Sequence, residues 1–156
     1  MNHASLIKVE RLLEDRQFDL RLQLVAGRAG LGRHIASARI QKPGLALAGY
    51  VEYIHKDRVQ VFGNTELSFL ATLEPQRAHD VVHRYFALSP ACLVVTKNLP
   101  VPPVLIEAAE KYGVPLLRTT HLSSQFIANV EACLEDQLTA VTSVHGVFVD
   151  VLGVGI

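Results

Sequence analysis

An α/β fold, with a mixed, partly parallel sheet flanked by helices, is the class this sequence predicts. Three observations predict it. Segments with apolar residues at helical spacing alternate along the chain with short runs at a period of two or with no polar residue at all. One such run, Ala91 to Val95, is continuous and apolar, as expected of a strand covered on both faces. A helix and another strand follow it, and that order implies a right-handed crossover and a locally parallel sheet.

Taken in order, Ser5 is placed to cap a short helix carrying Leu6, Val9 and Leu13. The period then changes to two: Phe18, Leu20, Leu22 and Leu24 alternate with Asp19, Arg21 and Gln23, the pattern of a half-buried strand. Gly27, Gly30 and Gly32 make a connection to a second short strand near Ile35 to Ile40, and Lys42-Pro43-Gly44 marks a turn. Leu45 to Ile54 fits neither period. Val59 to Phe62 reads as a strand, followed by a helix capped at Asn64 or Thr65 with Leu67, Leu70 and Leu73 inside. Pro75 suits the first turn of the next helix, where its missing N–H is not needed, and Ala78, Val81, Val82, Tyr85 and Phe86 form its inner face. After Ala91–Val95 and a proline loop comes a helix through Ile106, Ala109 and Tyr112, stopped by Gly113. Val114 to Leu117 is the next strand, with Pro115 favouring an edge or the strand's first residues. Ser123 or Ser124 caps a last long helix with Ile127, Val130, Leu134 and Leu138 on one face.

The 156 residues are 49% hydrophobic and 19% charged. A domain near this size buries about 68–70% of the surface its unfolded chain exposes, so a real core is expected and a disordered tail is not. Lys+Arg and Asp+Glu are both 15, which leaves no basic excess to advertise nucleic acid. No apolar run approaches the length of about 20 residues that a membrane span needs. Met1-Asn2-His3-Ala4-Ser5 lacks the regions of a secretory signal. Cys92 and Cys133 both sit in apolar stretches, so buried thiols in a reduced, cytoplasmic protein are expected in place of a disulfide or metal knuckle.

Three groups of residues merit weighing as sites. His79 and His83 stand at i and i+4 of a predicted helix, the spacing of zinc hydrolases, but Asp80 replaces the usual glutamate and no third ligand is evident. Two solvated helix histidines are the plainer reading. Gly27-Arg28-Ala29-Gly30-Leu31-Gly32-Arg33 has the composition of a phosphate cradle, yet its order matches neither the dinucleotide fingerprint nor a P-loop. An ordinary turn with two solvated arginines is expected. Glu107, Glu110 and Lys111 read as a solvated helix face.

The last segment differs. Val147, Val149 and Val151 alternate with Phe148, Asp150 and Leu152, predicting a strand entered at His145-Gly146. An apolar strand ending without a polar tail is expected to continue into a second domain. The expected division is residues 1–135 as an accessory α/β domain and 136–156 as a linker plus the first strand of a truncated domain. The boundary falls near residues 130–142.

These residues resemble a family, the bacterial HPr kinase/phosphorylases. The resemblance rests on Lys42-Pro43-Gly44 with Ala48-Gly49-Tyr50, and on Val59 to Leu70 with its Gly63-Asn64-Thr65-Glu66. It rests further on Pro100-Val101-Pro102 with Leu105 to Pro115, and on His145 to Gly155. It implies an N-terminal domain like that of Mur ligases, followed by a P-loop kinase domain that assembles as a hexamer. It implies ATP- and Mg²⁺-dependent phosphorylation of a serine on the phosphocarrier HPr, and phosphorolysis of the product, in carbon-source regulation in the cytoplasm. His145 matches the family's catalytic histidine; Leu152 departs from the family's usual tyrosine. The sequence holds no G-x-x-x-x-G-K-[ST], so this span alone is expected to bind no ATP or Mg²⁺ and to be inactive, with HPr and the kinase domain as partners. The alternative is a regulatory, ligand-binding or scaffolding module without catalysis of its own.

Overall fold

A computed structural model describes residues 6–50, 52 and 54–153, with side chains described through residue 139. Among the described residues, seven strands and six α-helices follow one another: β1 (Ile7–Lys8), α1 (Glu10–Glu14), β2 (Leu22–Ala26), β3 (His34–Ile35), β4 (Ile40–Gln41), α2 (Gly44–Leu47), β5 (Val59–Phe62), α3 (Asn64–Ala71), α4 (Pro75–Ala87), β6 (Cys92–Val95), α5 (Pro103–Tyr112), β7 (Leu116–Thr119) and α6 (Ser123–Gly153). The main sheet has five strands in the order β2-β7-β6-β5-β4, and β1 pairs with β3 in a separate antiparallel ribbon. Strands β4, β5, β6 and β7 run parallel; β2 is antiparallel to β7. The expected mixed, partly parallel α/β architecture is therefore present.

Strand residues divide by parity between two cores. Phe62, Leu93, Val95 and Leu116 join α3, α4 and α5 through Leu70, Val82, Phe86, Leu105 and Ala108. Val59, Val61, Cys92, Val94 and Leu117 join α1 and α6 through Leu12, Phe126, Val130 and Leu134. Burial on both faces explains why β5 and β6 carry no exposed residue, and why Ala91–Val95 reads as a continuous apolar run. A polar side chain enters this core at Gln60. Gln60 is fully buried, accepts a hydrogen bond from the Tyr85 hydroxyl at 2.9 Å and donates to the His55 carbonyl at 3.1 Å.

Several expectations shift for identifiable reasons. The alternation from Phe18 becomes a strand only at Leu22, because Asp19 and Arg21 adopt left-handed backbone (φ 55° and 54°). The reading of Ile35 to Ile40 splits into β3 and β4, which serve different sheets. The first expected helix begins later, behind β1. Pro115 stands just before β7, a strand interior to the sheet, and its carbonyl still accepts from Leu93 N at 2.9 Å.

The largest correction concerns the segment from Val147 to Leu152. It was expected as a strand, but α6 runs unbroken through Gly153. A helix satisfies its backbone groups within its own turns, whereas a strand needs a partner to pair with. Among the described residues, which end at Gly153, helix stands where that strand was expected.

Candidate functional site

Because β4 to β7 are parallel, their carboxyl ends open on one edge of the sheet. In open α/β sheets that edge is where ligands bind. The sequence places Lys42 just after β4, Gly63 after β5, Thr96 after β6 and His121 to Ser123 after β7. Packing draws four of these positions together. Glu66, in the first turn of α3, turns back so that its Oε1 accepts from Gly63 N at 2.8 Å and from Lys42 Nζ at 3.1 Å. Its side chain is only 2% exposed, whereas that of Lys42 is 39% exposed. A buried carboxylate thus holds a partly solvated ammonium across the ends of two strands.

On the other side of Gly63, the Thr96 and Ser123 hydroxyls lie 2.6 Å apart. A Cβ on Gly63 would come within 2.7 Å of Ser123 Oγ and 3.4 Å of both Lys42 Nζ and Thr96 Oγ1. Close approach, not backbone strain, requires glycine here. Sequence reasoning saw Lys42 only as part of a turn and Glu66 only as part of a helix. The one local signal was a glutamate in the first helical turn, the arrangement of half a capping box.

Beside this edge, His121 is nearly buried. Its Nε2 lies 2.7 Å from the Asp19 carbonyl and 3.4 Å from Asp19 Oδ2, and Asn129 donates to the same carbonyl at 3.2 Å. The Arg21 guanidinium, with a smaller contribution from His121, holds the Asp19 carboxyl below its ordinary value. These contacts pin the left-handed loop before β2 to the start of α6.

The residues singled out from the sequence fall elsewhere. Arg33, expected to be solvated, donates from Nε to the Gly113 carbonyl at 2.7 Å and from Nη2 to the Tyr112 carbonyl at 3.0 Å. It therefore caps the carboxyl end of α5, where free carbonyls and the helix dipole favour a cation. Glu110 accepts from Gly27 N at 3.0 Å, so it too is a packing contact and not only a solvated face. The glycine loop is a docking turn, not a phosphate cradle. A Cβ on Gly27 would meet the Val114 carbonyl oxygen at 2.0 Å.

His79 and His83 share one face of α4, but their rings stack at 4.0 Å with their planes 23° apart, so their lone pairs do not converge on a metal. His83 is not solvated as expected: both its ring nitrogens are buried and lack a hydrogen-bond partner. Among the described residues, no group of three His, Cys, Asp or Glu side chains is placed to hold a metal. None of the described helices is long and apolar enough to cross a membrane. The side chain of His145 lies outside the described residues.

The carboxyl-edge cluster offers an ammonium, two hydroxyls and a buried carboxylate. That set can bind and orient a polar group, but it lacks the phosphate cradle and metal-holding carboxylates that phosphoryl transfer demands. Residues 7–134 match the family model described as HPr Serine kinase N terminus. The chain belongs to this family.

The HPr kinase/phosphorylase of Geobacter sulfurreducens is 49% identical over 156 residues, covering 100% of this chain and 49% of that protein. That of Bacillus licheniformis is 38% identical over 137 residues, covering 87% of this chain and 44% of that protein. That of Geobacillus kaustophilus is 39% identical over 135 residues, or 86% and 43% of the two chains. The chain thus spans about half the length of the curated relatives it matches. The Lys42–Glu66 pair joins two of the segments that first suggested HPr kinase: Lys42-Pro43-Gly44, and Val59 to Leu70.

Proposed function

We propose that this chain is the amino-terminal part of an ATP- and Mg²⁺-dependent enzyme that phosphorylates a serine of HPr and removes that phosphate by phosphorolysis. The observation that carries this reading is 49% identity along the whole chain to a protein named HPr kinase/phosphorylase. Residues 1–135 are the accessory α/β domain. The phosphate cradle and the Mg²⁺ site belong to the kinase domain of the longer protein, which works as a cytoplasmic homohexamer. His145 is the catalytic position that falls within this span.

The test uses the protein at the length of its relatives, mixed with HPr, ATP and Mg²⁺. Seryl-phosphorylated HPr is expected, and inorganic phosphate should reverse the modification. His145→Ala should abolish both directions without altering the stability of the α/β domain. Absence of seryl phosphate would overturn the function, and full activity of His145→Ala would overturn the role of that residue.

A second reading, a ligand-binding or regulatory module, is favoured by the cluster around Lys42, Glu66, Thr96 and Ser123, since it stands at the sheet's carboxyl edge. With Arg33 engaged at α5, this edge and not the glycine loop is the place for a ligand. Calorimetry with sugar phosphates and nucleotide-sugars tests it: Lys42-dependent binding supports it, and absent binding leaves a packing or assembly role.

A further inference from the structure

Three buried side-chain nitrogens lack a hydrogen-bond partner among the described residues, and two of them belong to the imidazole of His83. That is an unusual state for a histidine. A neutral imidazole carries one donor and one acceptor, and burying either without a partner is costly. Packing holds the ring there. It stacks on His79 at 4.0 Å along α4 and meets Tyr112 of α5 edge-on at 5.7 Å. The ring is therefore wedged into the seam between two of the helices that cover one face of the sheet.

The charges around this wedge do not welcome another cation. Desolvation first, then the positive charges of His79 on α4 and Lys111 on α5, hold His83 below its ordinary imidazole value. Glu107 on α5 and Asp80 on α4 oppose the shift more weakly. Lys111 itself stands 5.4 Å from the centre of the Tyr112 ring, on the same side of the seam. Asp80 is engaged nearer the exposed ring, its Oδ1 lying 3.6 Å from His79 Nδ1.

We propose that His83 is a pH-responsive wedge in the α4–α5 seam, packing the two helices together when neutral and loosening them when protonated. Protonation adds an N–H that has no acceptor in place and a charge that faces two neighbouring cationic side chains. It also weakens the stack, because two imidazolium rings repel. The folded state favours neutral His83. Its contribution is therefore fully present above the unfolded imidazole value of about 6.5 and is lost as pH falls through the lower folded value. Mildly acidic conditions should thus open this seam before the rest of the domain.

The experiment follows the histidine ring protons of the whole chain by NMR from pH 8 to pH 5, with amide protection factors measured on α4 and α5. His83 should titrate below about 6.5. Protection on α4 and α5 should fall with pH more than protection on β5 and β6. His83→Phe, which keeps an aromatic ring in the stack, should flatten that dependence. Titration of His83 at or above the free imidazole value overturns the proposal, and so does an unchanged pH dependence in His83→Phe. If that variant fails to fold, the wild-type titration and protection pattern still decide.

Discussion

Replacing Glu66 by alanine removes the group that joins the ends of β4 and β5. Two contributions are lost together: the acceptor for Gly63 N at 2.8 Å and the counter-charge for Lys42 Nζ at 3.1 Å. Loss of a helix-capping acceptor costs about 0.5–2 kcal/mol. Breaking a fully buried ion pair costs about 3–5 kcal/mol, but the Lys42 side chain is 39% exposed and its ammonium can recover water. The ion-pair contribution is therefore discounted towards the figure of about 0–1 kcal/mol for surface pairs. Together these give about 0.5–3 kcal/mol. For a chain of 156 residues, at about 2–4 °C per kcal/mol, that lowers Tm by about 1–12 °C.

Glu66→Gln should cost less, since an amide oxygen can still accept from Gly63 N. Lys42→Met should cost more than the Lys42→Met/Glu66→Gln double variant, because the single change leaves a buried carboxylate without its cation. Urea unfolding followed by circular dichroism measures all four proteins. A Glu66→Ala variant within about 0.5 kcal/mol of wild type would refute the assignment of Glu66 as the group that ties this edge together.

Other perturbations test the frame around the site. Tyr85→Phe deletes the hydroxyl that donates to buried Gln60 at 2.9 Å; a loss of about 1–3 kcal/mol is expected in thermal unfolding, and an unchanged Tm would mean Gln60 has another donor. Gly27→Ala forces a Cβ against the Val114 carbonyl at a left-handed φ of 78°; expression as an unfolded or strongly destabilised protein is expected, and a wild-type urea midpoint would contradict the packing of that loop. Arg33→Ala should lower stability by about 1–2 kcal/mol through the uncapped end of α5, and Arg33→Lys should restore only part of it, since Arg33 bonds both the Tyr112 and Gly113 carbonyls. Burial pushes the Cys92 and Cys133 thiols up to about 12, so neither should react with a thiol reagent in the folded protein at pH 8. Rapid labelling of either would show an open core.

What the sequence made legible was what local chemistry decides. Pro75 opens α4, Gly113 closes α5 in the left-handed region, and the unbroken apolar run Ala91–Val95 marks β6. What stayed hidden depends on partners far along the chain. Arg33 reaches carbonyls about eighty residues away. Lys42 and Glu66 are each unremarkable until folding joins them. His83 looks solvated on a helical projection, because only tertiary structure supplies Tyr112 and the α4–α5 seam. The alternating valines after His145 carry a strand pattern, yet α6 continues through them, since a pattern of two cannot form a strand without a neighbour. The strand from Phe18 failed for a smaller reason: left-handed turns at Asp19 and Arg21 are allowed there and leave no mark on hydrophobic periodicity.

The most direct test of the division of labour proposed for this family member is a side-by-side phosphorylation assay. Residues 1–156 alone, and the same protein extended to the length of its relatives, are each incubated with HPr, ATP and Mg²⁺. The shorter chain should unfold cooperatively yet leave HPr unmodified, while the longer one produces seryl phosphate. Turnover by residues 1–156 alone would contradict the placement of phosphoryl transfer outside this α/β domain.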